Sequence, residues 1–156
     1  MAETNAELLG AWRAFFEAHR NVVSVLGREM EEATGLPLNW YEVLLHLEES
    51  PQGRLRMHEL ANLTLLSRSA VTRFVDRLEA QGLVDRVACP ADKRGMDVIM
   101  TAAGKEMFRK AGRIHLRGIT DHFLAHVTAS EAEVIREALS RVKAASSATR
   151  AAHGST

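Results

Sequence analysis

Apolar residues recur at helical spacing over most of the chain and alternate only in one short stretch near its middle. The first helical stripe follows Thr4 and Glu7, which together form a capping-box pattern, and it continues toward Gly35 and Pro37. This spacing predicts a long amphipathic first helix, whose stripe consists of Leu8, Trp12, Phe15, Phe16, His19, Val22, Val23, Leu26 and Met30.

A second, shorter helix is predicted where Asn39 and Glu42 repeat the capping signature, and it stops at Ser50 and Pro51. Its apolar stripe consists of Val43, Leu44 and Leu47. The following "QGRLRM" is too short for a helix, so we expect a brief edge strand at Arg54–Arg56.

Two further helices are predicted at helix-turn-helix spacing. The first is the short "MHELANL", and after a few residues Ser67 caps the second, which runs to Gln81 with Gly82 as its left-handed terminator. The second helix has two distinct faces. One is apolar, with Val71, Phe74, Val75 and Leu78, and the other is polar, with Ser69, Thr72, Arg73 and Asp76.

The alternating stretch predicts a β-hairpin directly after this helix. "LVDRVA" and "MDVIM" have strand character, and "CPADKRG" between them contains turn residues. Lys93 and Arg94 would lie at the hairpin tip, where they could reach a minor groove or phosphates, and Asp92 could accept a hydrogen bond from Arg94 and orient it. A basic-tipped hairpin in this position is typical of a winged helix.

The rest of the chain is predicted to be helical. Thr101 caps a fifth helix, and Thr128 with Glu131 forms a capping box that opens a sixth. Small and polar residues from Ala144 onward predict a frayed tail.

Composition narrows the class of protein. The chain has 156 residues, enough for one domain with helical extensions, and its net charge is zero. The charge is unevenly distributed, because residues 1–52 have 3 basic against 9 acidic residues, whereas residues 53–101 have 8 against 6. A local positive patch is therefore expected around the helix-turn-helix.

The sequence lacks a basic-then-apolar leader and any apolar run near the roughly 20 residues that cross a bilayer, so we expect a cytoplasmic protein without membrane contact. Cys89 is the single cysteine and is interpreted as a small packing residue. Phosphate-binding glycine loops, zinc-protease motifs, paired CxxC motifs and nucleophile elbows are absent from the sequence, which indicates that the protein is not an enzyme and has no cofactor.

The polar helix face predicts contact with DNA. The N-terminal part of a recognition helix enters the major groove, where hydroxyls and guanidinium groups can contact bases and phosphates. The candidate DNA-binding residues are Ser67, Arg68, Ser69, Thr72, Arg73, Lys93 and Arg94.

The stretch "MHELANLTLLSRSAVTRFVDRLEAQGLVDRVACPADKRGMDVIMTAAG" resembles the MarR family of bacterial transcriptional regulators. The resemblance extends from the first helix to the last. Its most characteristic parts are "ELA", the "S-x-S-x-x-T-R-x-x-D-x-L-E-x-x-G-L-V" module, the D-x-R of the wing and the closing "T-x-x-G". It implies a homodimer that binds a pseudo-palindromic operator, and many members of the family release DNA when a small, often aromatic or phenolic, effector binds. We expect the protein to be a ligand-responsive repressor.

The expected fold is mostly α with a small β wing: a winged helix-turn-helix whose N- and C-terminal helices form a dimerisation region. Residues 1–35 and 102–145 are assigned to dimerisation, residues 36–101 to the DNA-binding lobe and residues 146–156 to a flexible tail. A dimer is also favoured independently, because the long apolar stripes at both ends have no evident cover within so short a chain.

In the resembled family the effector pocket lies between the dimer helices and the DNA-binding lobe, which implies a pocket where the aromatic residues of the first two helices would meet. The candidate lining residues are Trp12, Phe16, His19, Trp40 and His46. A competing interpretation is that these residues pack in the core and the dimer interface.

The sequence is also compatible with two different functions. A metal-responsive version of the regulator would use the histidine stripe His115, His122 and His126. A winged helix can also serve as a protein-interaction module without binding DNA, although such a surface should centre on exposed apolar anchors.

Overall fold

The structure is a computed structural model that describes the backbone of residues 2–64, 67–89 and 92–153, and side chains within 5–64, 67–89 and 95–148. The regular elements are α1 (Ala2–Thr34), α2 (Leu38–Glu49), β1 (Arg54–Arg56), α3 (Met57–Thr64), α4 (Arg68–Ala80), β2 (Val84–Cys89), β3 (Asp92–Met100), α5 (Ala102–His122), a 3-10 helix (Leu124–His126) and α6 (Ala129–His153). The chain divides into two compact units, residues 1–118 and 119–156. This architecture confirms the predicted mostly helical winged fold.

The sheet has the order β1-β3-β2, with both pairings antiparallel. The predicted edge strand at Arg54–Arg56 is confirmed, since it pairs with residues 97–99 of β3. The hairpin differs from its prediction, because β3 already starts at Asp92 rather than at Met96. A register irregularity at Ala88 and Cys89 permits the longer pairing.

The core of the first unit is a cluster of apolar side chains from α2, α3, α4 and the sheet, joined by the C-terminal third of α1 and by α5. Fully buried members are Met30, Leu36, Leu44, Leu47, Leu60, Leu78, Val43, Val71, Val75, Val84 and Val98. Burial of each such side chain contributes roughly 1.5–3 kcal/mol to folding.

Helix ends agree with the sequence at several positions and differ at three. Gly35 and Gly82 take positive φ angles of 71° and 69°, which ends α1 and α4 as expected. The amide and hydroxyl of Thr128 are bonded to the Glu131 carboxylate, and the amide of Glu131 donates to the hydroxyl, so that capping box is confirmed.

The first difference is at the start of α1, which begins at Ala2, before the predicted cap at Thr4, whose side chain lies outside the described residues. Second, α2 is preceded by Pro37 rather than by Asn39. The Pro37 carbonyl accepts hydrogen bonds from the amides of Trp40 and Tyr41, which makes a side-chain cap at Asn39 unnecessary.

The third difference is the length of α6, which continues past Ala144 to His153, while residues 154–156 lie outside the described part. The segment after Ala144 is helical as far as His153, and its alanines favour this conformation, while the flexibility expected of the tail stays a prediction.

The start of α5 is bonded to the end of α4 through Leu83. The Leu83 amide donates to the Leu78 carbonyl, and the Leu83 carbonyl accepts from the Thr101 amide at 3.1 Å. The Thr101 hydroxyl donates to the Gly82 carbonyl at 2.6 Å and accepts from the Gly104 amide at 3.0 Å. A Cβ at Gly104 would lie 1.9 Å from the Leu83 carbonyl oxygen, so only glycine fits there.

Replacing Gly104 with alanine should destabilise the protein by roughly 2–3 kcal/mol, because the clash is with backbone and exceeds the helix-propensity gain of about 1 kcal/mol. Gly10→Ala is the matched control, since nothing lies within 4 Å of a Cβ at this position of α1. It should leave stability unchanged or raise it slightly. Urea unfolding of both variants measures the difference, and equal stability would contradict the contact.

A second packing site joins α2 to α5. The Tyr41 ring stacks on Phe108, with centroids 5.2 Å apart, and lies 5.1 Å from the ring of His115. The Nδ1 atom of His115 is buried and has no hydrogen-bond partner within the described residues. Burial lowers the pKa of His115, and the Glu42 carboxylate opposes this by a smaller effect.

A lowered pKa means that the folded chain binds a proton at His115 less readily than the unfolded chain does. The free energy of unfolding should therefore be highest above the ordinary value of 6.5 and fall as the pH drops below it, levelling off once the folded protein is protonated. His115→Phe keeps an aromatic ring and should flatten this slope, whereas the exposed His126→Gln should not. Chemical unfolding at a series of pH values measures this dependence. If His115→Phe leaves the slope of the unfolding free energy against pH unaltered, His115 is not its cause.

Candidate nucleic-acid interface

The first turn of α4 is built by its cap. The Ser67 hydroxyl accepts from the Ala70 amide at 3.2 Å and lies 3.1 Å from the Ser69 hydroxyl. The Thr72 hydroxyl donates to the Arg68 carbonyl at 2.9 Å. The hydroxyls of this turn are therefore ordered by the helix that carries them.

The two faces of α4 are separated as the sequence predicts. Val71, Val75 and Leu78 are fully buried in the core, and Phe74 packs against it. The polar positions at the start of the helix are all exposed: Ser67, Arg68, Ser69, Thr72 and Arg73. The structure thus brings five of the seven predicted DNA-binding residues together on one open surface.

Asp76 belongs to this polar face in the sequence, but it is bound to Arg86 of β2. The same guanidinium binds the Glu79 carboxylate, and the Arg86 amide donates to Glu79 Oε1 at 3.2 Å. Arg86 therefore joins the recognition helix to the wing, and its single positive charge offsets half of the negative charge of the two carboxylates.

The wing consists of β2 and β3, and its tip includes three candidate residues. The backbone of Asp92 pairs with Cys89. The side chains of Asp92, Lys93 and Arg94 lie outside the described residues, so their contacts stay predictions.

A buried carboxylate organises the root of the wing. Asp97, on β3, is only 4% exposed and lies 3.5 Å from the Arg54 guanidinium and 4.0 Å from Arg56 Nε. Nη2 of Arg56 donates to the Sγ of Cys89 at 3.0 Å. Cys89 is buried, in agreement with the packing role expected for it.

The candidate pocket residues do not converge within one protomer. Trp12, Phe16 and His19 are exposed on α1, where Trp12 and Phe16 stack at 6.0 Å. Trp40 is buried in the core, and the nearest fully packed turn of α1, at Leu26, lies about 15 Å along the helix from Phe16. His46 lies 4.0 Å from Glu49. The exposed and the buried candidates therefore lie in different environments, and their lining of one pocket stays a prediction.

The histidine stripe is interrupted. His115 and His122 belong to α5, but His126 is in the 3-10 helix, so the two last histidines are not one helical turn apart on a continuous helix. Within the described ranges, no three His, Cys, Asp or Glu side chains form a group that could hold a metal ion.

The roles of Arg86, Arg56 and Asp97 were not predicted from the sequence. The spacing of ten residues between Asp76 and Arg86 does not by itself predict a contact. The two side chains meet only because the turn after α4 brings the chain back alongside the helix. The acidic residues of "VTRFVDRLEA" would point to such a partner only once this return is known. The pairing of Arg86 with Asp76 and Glu79 therefore emerges from the structure alone.

These features define a winged helix-turn-helix with a polar recognition surface. This combination is typical of the class of DNA-binding regulators. No helix within the described residues is long and apolar enough to cross a membrane.

Comparison with known proteins identifies the family. The model of the MarR family matches residues 34–95. The DNA-bound MarR family transcriptional regulator Sco3205 from Streptomyces coelicolor is 34% identical, with a TM-score of 0.81 over 88% of this chain and 86% of that chain. AbsC, a MarR family transcriptional regulator from the same organism, is 31% identical, with a TM-score of 0.80 over 86% of this chain and 90% of that chain.

A curated relative is also a transcriptional regulator with a helix-turn-helix. The HTH-type transcriptional regulator YdgJ of Bacillus subtilis strain 168 is 27% identical over 80% of this chain and 74% of its own length. The chain belongs to the MarR family of DNA-binding transcriptional regulators, and like the family it is not an enzyme. The resemblance found in the sequence is confirmed.

Arg86→Gln should weaken binding to a duplex selected by the wild-type protein by about tenfold, which corresponds to about 1.4 kcal/mol. The physical reason is that the negative charges of Asp76 and Glu79 would lose their positive partner while the wing loses its attachment to α4. Adding Asp76→Asn in the same chain should restore part of the affinity. Fluorescence anisotropy measures both, with urea unfolding to verify folding; undiminished binding by the single variant would contradict the assigned role.

Proposed function

We propose that the protein is a homodimeric repressor that binds a pseudo-palindromic DNA operator in the cytoplasm and is controlled by a small aromatic or phenolic effector. The observation that carries the DNA-binding part is the exposed first turn of α4, where five polar side chains lie on a helix fixed by its buried face. In this proposal Ser67, Ser69 and Thr72 select sequence, and Arg68 and Arg73 contact phosphates or guanine edges.

The wing supplies the second contact. Lys93 and Arg94 reach the neighbouring minor groove or its phosphates, and Asp92 orients Arg94. The attachment of β2 to α4 through Arg86 supports this proposal, because it fixes the direction of the hairpin relative to the recognition helix.

A homodimer is supported by apolar side chains that remain exposed on α1 and near the C-terminus. On α1 they include Trp12, Phe15 and Phe16, which are 59%, 42% and 51% exposed. Residues 1–35 and 102–145 are proposed to bury such side chains against a second copy. Two recognition helices about 34 Å apart would then read successive major grooves.

Effector control rests on the same surface. The aromatic side chains Trp12, Phe16 and His19, with Trp40 and His46, are proposed to contribute to a pocket completed by the second chain. The two recognition helices must be spaced like successive major grooves to bind DNA. An effector that binds best to a dimer with a different spacing would therefore release the DNA.

A protein-interaction module has less support, because the exposed face of α4 consists of hydroxyls and charges rather than apolar anchors. A metal-responsive version lacks a suitable group of side chains within the described residues.

The proposal is tested by fluorescence anisotropy against duplex DNA from immediately upstream of the protein's own gene, with scrambled duplex as competitor and across a salt series. Binding that resists competitor, weakens steeply with salt and fits two chains per duplex supports it. Should the upstream duplex bind weakly, selection from a random duplex pool decides, and failure to enrich any palindrome would favour the protein-interaction module. The same assay then screens aromatic acids for release.

Arg73→Ala and Arg94→Ala should each weaken binding by about tenfold, because each removes a charge-assisted contact worth roughly 1–3 kcal/mol. If Arg94 contacts a phosphate, its loss should also reduce the slope of log affinity against log salt by about 0.9. Arg136→Ala on α6 removes the same charge from an exposed position and is the control, with size-exclusion chromatography to verify that it is dimeric, because α6 belongs to the proposed dimerisation region. An unchanged affinity and salt slope for Arg94→Ala in a folded dimer would show that the wing assignment is wrong.

A further inference from the structure

A cleft of about 590 Å³ opens where the start of α3, the start of α4 and the root of β3 meet. Among the described residues, those that line it include no carboxylate; they are Arg56, Met57, His58, Arg68, Thr72, Gly95 and Met96. The cleft thus combines two guanidinium groups and an imidazole with methionine side chains, a chemistry suited to an anion attached to an apolar group.

The guanidinium of Arg56 is held in place rather than swinging freely. Nη2 donates to Cys89 Sγ at 3.0 Å, and Nε lies 4.0 Å from Asp97. Asp97 is shared with Arg54 at 3.5 Å, so one carboxylate contacts the guanidinium groups of two arginines. The nearby Glu59 carboxylate accepts from the Arg56 amide at 2.7 Å and does not line the cleft.

The position of the cleft relates it to DNA. Recognition by α4 in the major groove and by the wing in a minor groove requires the intervening sugar-phosphate backbone to pass between these two elements. The cleft lies between the first turn of α4, which supplies Arg68 and Thr72, and β3, which supplies Gly95 and Met96. Met96, 45% exposed, offers an apolar contact for a deoxyribose.

We propose that this cleft binds one phosphodiester of the DNA backbone, with Arg56, His58 and Arg68 around the phosphate and Met96 against the adjoining sugar. The proposal rests on the DNA-binding function proposed above and adds Arg56, His58 and Met96 to the interface. Since a phosphate carries no sequence information, this contact sets the register of α4 in the groove and stabilises specific and non-specific complexes alike.

The sharpest test changes only charge. Met96→Glu places a carboxylate in the cleft, and Met96→Gln has nearly the same size without the charge. Met96→Glu should weaken binding to the selected and the scrambled duplex by a similar factor of at least about ten, because it opposes a phosphate directly. Met96→Gln should bind both nearly as the wild type does.

Gln81→Glu controls for added negative charge elsewhere. Gln81 is at the far end of α4, about 20 Å from Arg68 along the helix axis and beyond the screening length of about 8 Å at physiological salt. It should have little effect. Arg56→Gln and His58→Gln complete the set: the first should lower the salt slope by about 0.9, and the second should weaken both duplexes without disturbing the Asp97 contacts. If Arg56→Gln does not fold, the two Met96 variants and His58→Gln still test whether the cleft binds a phosphate of the DNA.

Ethylation interference locates the contact. One phosphate position per half-site that is sensitive in the wild type should become insensitive in His58→Gln. Undiminished DNA affinity in Met96→Glu would overturn the cleft proposal and leave the DNA-binding function standing, whereas failure of the wild type to bind any duplex would overturn the function itself. Calorimetry with inorganic phosphate separates the other source of this anion: tight binding of free phosphate, with DNA affinity insensitive to Met96→Glu, would reassign the cleft to a small anion.

Discussion

The backbone of Leu83 is the feature on which the arrangement of the winged helix-turn-helix depends. Its amide closes the end of α4 by bonding to Leu78, and its carbonyl receives the Thr101 amide at the start of α5. Gly104 lies so close to this carbonyl that a methyl group would collide with it. The end of the recognition helix, the first strand of the wing and the start of α5 are therefore held together by backbone contacts, which leave little freedom for rotation.

Ion pairs are the second set of interactions that hold the wing in place. Arg86 binds Asp76 and Glu79 on one side of the wing, and Asp97 binds Arg54 and Arg56 at its root. These three carboxylates are thus bound by guanidinium groups within the protein, while Arg68 and Arg73 at the start of α4 are exposed. A chain with zero net charge can in this way present a surface that attracts phosphates.

The sequence predicted the helices, the edge strand and the two faces of α4, because these follow from local periodicity and capping residues. Contacts such as Arg86 with Asp76 could not be predicted, since they depend on how the turn at Gly82 redirects the chain. The predicted cap at Asn39 was wrong because Pro37, already fixed in φ, offers a carbonyl to the amides of Trp40 and Tyr41. The segment after Ala144 lacks an apolar stripe, the usual sign of a helix, and it is helical as the continuation of α6, which its alanines favour.

The separation of the two faces of α4 has an evolutionary consequence. Val71, Val75 and Leu78 fix the helix, whereas Ser69, Thr72 and Arg73 are exposed and contribute little to the core. Substitutions on the exposed face can therefore change the DNA site that the proposed contacts select without a matching loss of stability. Duplicated copies of such a gene can acquire new targets by a few single-residue steps, each of which passes through a stable protein.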